Sequence, residues 1–182
     1  MPVLKIKQPV SDKEQNNFIF CFSISSDRHE GDKAITGMIK LMEIAVKAMS
    51  SGINDPGTAI DAINKIGQLL CEFLKYPDII SKSIANNNNN NNNNNLIITE
   101  HTISAAELMR ILIQPIRLYS KKDNSVLYVL LKSLQYIKAS PHISNENKAV
   151  IKTALEALKY DIDENISNKL DKENLMELFE DR

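Results

Sequence analysis

Two stretches of helical periodicity meet at the polar run Ser50-Ser51-Gly52-Ile53-Asn54-Asp55-Pro56-Gly57-Thr58, and this elbow restricts the fold more than any other part of the chain. Over 33–49, Ile35, Met38, Ile39, Met42, Ala45, Val46 and Met49 recur at three-and-four spacing, which gathers them on one helical stripe. Over 56–75, Ala59, Ile60, Ile63, Ile66, Leu70, Phe73 and Leu74 repeat the pattern until Pro77 stops it. Gly52 suits the left-handed position just past a helix end. Asp55 or Asn54 suits an N-cap, and Pro56 suits the first helical turn, where its missing N–H costs nothing. The connection is short, so the two helices should be neighbours that pack through Met42, Val46, Ile60 and Ile63.

The rest of the chain also reads mainly as helix. Ile103-Ser104-Ala105-Ala106-Glu107-Leu108 has the form of a capping box, with Ser104 reaching forward, Glu107 reaching back, and Ile103 against Leu108 as the hydrophobic staple. The helix that follows uses Leu108, Met109, Leu112, Ile116 and Tyr119, and Pro115 inside it predicts a kink over 111–114, because the ring removes one ladder bond and crowds the carbonyl of Ile111. From Asp123 or Asn124 to Lys138, Leu127, Leu130, Leu131, Leu134 and Ile137 define a further helix. Val150, Ile151, Ala154, Leu155 and Leu158 define another over 144–160, and the charged tail 163–179 supplies a last helix or two. Two apolar stretches near the start, 3–6 and 18–24, read as short strands, or as one strand and a helix start. Ten consecutive asparagines, 86–95, lie between Ile-rich pieces that would pair as a hairpin, while the tract itself cannot bury apolar area to offset its ordering entropy. The expected fold is therefore a single mainly α unit over 1–182, an array of five or six helices with minor β structure: a short hairpin and a partial N-terminal β segment within 1–24.

Composition excludes several functions. At 182 residues the chain suits one domain, and a net charge of −1 leaves no basic footprint for nucleic acid or an anionic membrane surface. The apolar runs fall well short of the roughly 18–20 residues that cross a bilayer, and no signal sequence or lipidation motif is evident. Cys21 and Cys71 sit in apolar surroundings without CxxC spacing, which suits buried free thiols.

The candidate chemistry is sparse. At the elbow, the amides after Asn54 and Asp55 could hold an anion, with Gly57 permitting close approach and Thr58 adding a hydroxyl. Asp55 already supplies the negative group those amides favour, so capping competes with ligand binding. If Asn54, Asp55 and Asp61 faced outward together they would offer hard oxygens to a cation, although calcium-loop spacing is missing. Asp27, Arg28, His29, Glu30, Gly31 and Asp32 bring together residue types used in acid–base work; the same crowding describes a solvated helix start. Arg117, after Pro115, could be directed to a partner or a phosphate, or could form an ordinary salt bridge. His101 and His142 lie far apart with no second His at i+4, so no metal site is expected, and no nucleotide or hydrolase fingerprint occurs. No cofactor is implied.

The run Ala45-Val46-Lys47-Ala48-Met49-Ser50-Ser51-Gly52-Ile53-Asn54-Asp55-Pro56-Gly57-Thr58-Ala59-Ile60 resembles the ALSPGINDPGTAI signature of a family of uncharacterised bacterial predicted membrane proteins, the domain of unknown function twenty-two fifty-four. The approach Leu41-Met42-Glu43-Ile44-Ala45 and the later run Glu107-Leu108-Met109-Arg110-Ile111-Leu112-Ile113-Gln114-Pro115-Ile116-Arg117 are similar to the same family. Ser51 stands where the family usually has Pro, and His29-Glu30-Gly31-Asp32 follows its Glu-Gln-Asp pattern only loosely. The resemblance implies a soluble C-terminal region whose membrane helices precede Met1. It would lie on the cytoplasmic side of a bacterial inner membrane, with that membrane part, and a second copy of the chain, as partners. Function is then expected to be association, sensing or regulation; the alternative is an unrecognised enzyme or small-ligand or ion-binding domain built from the Asp27 to Asp32 cluster, which includes His29 and Glu30, together with Asn54 and Asp55.

Overall fold

In the computed structural model, which describes residues 11–20, 33–76, 79–84, 96–101 and 103–180, a short helix α1 (Asp12–Phe20) is followed by α2 (Lys33–Ala48) and α3 (Pro56–Phe73) on either side of the elbow. Phe18, Ile19 and Phe20 thus end a helix, so a strand over 18–24 does not begin there. The expected strand at 3–6 and the asparagine tract lie outside the described residues. Helices α2 and α3 pack closely, but the face that α2 buries is turned slightly from the expected one. Met38, Ala45, Ala48 and Met49 are buried, whereas Met42 and Val46 are half-buried. The reason is the small side chains near the elbow: Ala45 and Ala48 on α2, with Ala59 and Ala62 on α3, are all buried and leave the two backbones room to approach. Ile63 and Ile66 complete the inward stripe of α3, and Cys71 is a buried free thiol, as its surroundings suggested.

The chain then forms an antiparallel hairpin, β1 (Ile79–Ile84) with β2 (Leu96–His101), in a register running from Ile79 opposite His101 to Ile84 opposite Leu96. The next helix is interrupted. It starts as α4 (Ala105–Leu108), widens into a π-helical turn over Met109–Ile113, and continues as α5 (Gln114–Ser120). Pro115 accounts for the interruption: a prolyl nitrogen cannot donate to the carbonyl four residues back, and its ring would strike it. In the wider turn the Gln114 N–H donates to the Met109 carbonyl, five residues back. The extra residue also shifts the inward stripe, so that Ile116 and Ser120 are buried while Tyr119, expected in the core, is exposed.

Helix α6 (Asn124–Ala139) is capped by Asp123, whose carboxylate accepts from the Val126 N–H. It buries Val126, Leu127, Leu130, Leu131, Leu134 and Ile137. At one point it comes so close to α3 that a Cβ added to Gly67 would lie 2.8 Å from Ser133 Oγ and 3.2 Å from Ser133 Cβ. Helix α7 (Asn145–Asn165) starts at the Ser144 cap and runs past Tyr160; α8 (Lys169–Glu180) closes the array. Each of α2, α3, α6, α7 and α8 packs on the next, and the interrupted helix lies against α2, α6 and α7. Long-range hydrogen bonds pin the periphery: Asn147 Nδ2 donates to the Leu74 carbonyl at 3.4 Å, and Gln135 Nε2 to the Leu178 carbonyl at 2.6 Å. The fold is mainly α. Among the described residues no helix is long and apolar enough to cross a membrane.

Candidate functional site

The backbone leaves α2 through Met49 N–H to Ala45 O, then turns so that Ile53 and Asn54 N–H both donate to Ser50 O and Asp55 N–H returns to Ala48 O at 2.8 Å. The left-handed residue is Asn54, with φ of 47°, not Gly52. Asparagine tolerates this region better than other non-glycine residues, and placing it directly before the cap lets the chain reverse in the fewest steps. Asp55 then caps α3: Oδ1 accepts the Thr58 N–H at 3.1 Å and Oδ2 accepts the Thr58 hydroxyl at 2.6 Å, with Pro56 in the first turn. These bonds from the Thr58 hydroxyl and amide, helped by the Gly57 amide, hold the Asp55 carboxyl below its ordinary value. Gly57 follows the cap closely, since a Cβ there would stand 3.4 Å from Asp55 Oδ1.

The elbow's polar groups are therefore turned on one another. Both oxygens of Asp55 serve Thr58, and Asn54, Asp55, Gly57, Thr58 and Asp61 all lie on the exposed surface. A carboxylate already occupies the place an incoming anion would take. Because the folded carboxyl is more acidic than an unfolded one, its contribution to stability is present above the unfolded value of about 3.9 and is lost as pH falls through the lower folded value. Asp55→Ala should accordingly lower the melting temperature at pH 7, with the gap to the parent closing in strong acid. Asp55→Asn, itself a good cap, should keep most of the pH 7 stability. Equal melting of the Ala variant and the parent at pH 7 would remove the cap from the account.

Arg117 is committed internally. Its Nη1 forms an ion pair with Asp161 of α7 and donates to the Ala157 carbonyl at 3.2 Å, with both side chains largely buried. One guanidinium nitrogen that could have met an anion or a partner is thus engaged from within the chain, while Arg117 also lines a groove of about 500 Å³ with Arg110 and Met109. Asp161 had a sequence signal of its own: it follows Ile151, Leu155 and Leu158 on the buried stripe of α7, where an unpaired carboxylate would be costly. Glu107 also departs from expectation. Ser104 Oγ does accept the Glu107 N–H at 3.2 Å, but the Glu107 carboxylate turns forward to Arg110 Nε at 2.9 Å.

His29, Glu30 and Asp32, with the rest of the 27–32 cluster, lie outside the described residues. His142 is exposed, and His101 ends β2. Among the described residues no group of three or more His, Cys, Asp or Glu could hold a metal ion. What the surface does present is aromatic. Tyr128 and Tyr136, 46% and 65% exposed, flank Lys132 along α6, with the Lys132 ammonium 5.9 Å from the Tyr128 ring centre. Asn64 and Gln68 of α3 face them across a shallow groove of about 390 Å³ whose floor is the contact of Gly67 with Ser133.

Comparison with protein families matches residues 1–136 to the model described as "Predicted membrane protein (DUF2254)". Comparison with curated proteins and with solved structures returns no match.

Proposed function

Because the chain belongs to this family of predicted membrane proteins, we propose that its helical array is an association module that pairs with a second copy of itself, with regulation rather than chemistry as its role. The observation that carries this reading is the α3–α6 face. Tyrosine gives a large, stiff contact area with a polar tip, and tyrosines are enriched where protein surfaces meet. The groove is lined by Asn64, Gln68 and Ser133 between the two tyrosines, and Lys132 is its one charged residue. A copy of the same face therefore meets little like-charge repulsion, and the Lys132 ammonium has a tyrosine ring to rest on from either copy. Asp55 at the elbow and Arg117, two described residues offered as ligand contacts, engage partners within the chain instead. A catalytic reading that joins Asn54 and Asp55 to His29, Glu30 and Asp32 has only its first half among the described residues, and that half is a helix cap.

Sedimentation velocity tests the proposal. The parent should show a concentration-dependent dimer, and Tyr128→Ser combined with Tyr136→Ser should sediment as a monomer with unchanged helix content. A parent that stays monomeric into the high micromolar range would end the self-association reading. So would a double variant that dimerises like the parent.

A further inference from the structure

A second groove, of about 520 Å³, lies where α6, α7 and α8 meet, lined by a different set of α6 residues from the tyrosine face. Its volume is within the range of small-molecule sites. Leu155 is buried at its base, Phe179 of α8 forms a wall, and Lys138, Lys152 and Lys159 stand around the opening with Glu156 as the one acidic lining residue. Glu156 is only loosely engaged, 3.9 Å from Lys152. Lys159 rests its ammonium 5.6 Å from the centre of the Phe179 ring, and among the described residues neither Lys159 nor Lys138 has a carboxylate partner. The negative end of the α6 dipole accounts for Lys138, which lies in that helix's last turn; Lys159 is well inside α7 and has no such reason.

An apolar floor with two ammonium groups at its rim that have no carboxylate partner among the described residues suits an alkyl chain ending in an anion. We propose that this groove binds a single-chain anionic amphiphile, its chain against Leu155 and Phe179 and its carboxylate or phosphate between Lys138 and Lys159. The placement of Phe179 gives the site a link to the fold, because the Gln135 amide holds the neighbouring Leu178 carbonyl and so fixes the end of α8 as the groove's wall. All three lysines lie beyond residue 136, outside the stretch that the family model matches.

Titration calorimetry with dodecyl phosphate, kept below its micelle concentration, tests the site, with dodecanol, inorganic phosphate and vesicles of anionic phospholipid as parallel arms. Dodecyl phosphate should bind at one site per chain, and Lys138→Met and Lys159→Met should each weaken it about tenfold, the loss expected for one hydrogen bond to a charged group. Glu156→Gln, which removes the one competing carboxylate, should tighten it. The alcohol and inorganic phosphate should each bind at least tenfold more weakly, and vesicles should not bind. Equal binding of the alcohol would overturn the anionic half of the proposal, and equal binding of inorganic phosphate would overturn the apolar half. Adsorption to vesicles without uptake of the monomeric probe would replace the groove with a membrane-facing surface. Insensitivity to both lysine substitutions would overturn the site itself.

Discussion

Ile63→Ala is expected to lower the unfolding free energy by about 2–5 kcal/mol, the range for removing a large aliphatic side chain from a filled interior. Ile63 is 1% exposed on α3 and belongs to a continuous core that includes Met38, Leu112, Leu130 and Leu134. Two structural features argue against the low end of the range. The α2–α3 pair is held at the elbow by the Asp55 to Ala48 hydrogen bond, and α3 is held against α6 by the contact of Gly67 with Ser133. With both neighbours fixed, the walls can collapse only a little into the space left by the lost atoms, and the cavity cost stays. Urea denaturation of the parent and the variant measures the difference as a shift in midpoint at constant slope. An Ala variant within 1 kcal/mol of the parent would mean that α3 presents a different face to the core.

Breaking the Arg117–Asp161 pair from one side should have a comparable effect for a different reason. Removal of one member of a buried ion pair leaves the other charge without compensation in a poor solvent, which costs about 3–5 kcal/mol; the residual exposure of 16% and 12% places Arg117→Met near the lower end. Arg117 also covers the Ala157 carbonyl, so the variant loses a hydrogen bond as well. The double replacement Arg117→Met with Asp161→Leu should recover most of that loss, because no isolated charge remains and the site becomes apolar. A double-mutant cycle read by chemical denaturation separates the pair from its parts. If the single variant were as stable as the parent, or the double variant no better than the single, the ion pair would have no part in holding α5 to α7.

The helices were legible in the sequence wherever one periodicity ran unbroken between two clear stops. Lys33 and Pro56 open α2 and α3 where the pattern begins, and Asp123 and Ser144 cap α6 and α7 through the short side-chain oxygens that give such positions away. Legibility failed where a local rule had two solutions of similar cost. A proline within a helix can be relieved by a bend or by a wider turn, and the choice of the second moved Tyr119 outward and Ser120 inward. Glycine and asparagine both enter the left-handed region; the sequence points to Gly52 for it, and the hydrogen bonds of the elbow put Asn54 there instead. Glu107 could cap backward or pair forward, and Arg110 one turn on decided it. The candidate site was less legible, since whether Arg117 faces a ligand or Asp161 depends on how α7 returns to α5, a contact across 44 residues that no local pattern encodes. The tyrosine face was visible only as Tyr128 and Tyr136 on the same side of α6; that α3 leaves a shallow groove beside them follows from the absence of a side chain at Gly67.

The elbow also bears on the order in which the chain finds its fold. Residues 49–55 are all that separates α2 from α3, so these two helices meet by closing a loop of about seven residues, whereas α3 reaches α6 across about fifty, 74–123. Closure entropy grows by about 0.6 kcal/mol for each doubling of loop length, so the nearly threefold doubling between these loops sets the second encounter behind the first by somewhat under 2 kcal/mol. That handicap is more than a tenfold difference in the chance of contact, before the length-independent stiffness of either loop is counted. The Asn54 turn thus does for folding speed what it does for geometry: like the five-residue link 140–144 between α6 and α7, it makes its helix pair a local unit, and the distant α3–α6 contact joins the two pairs.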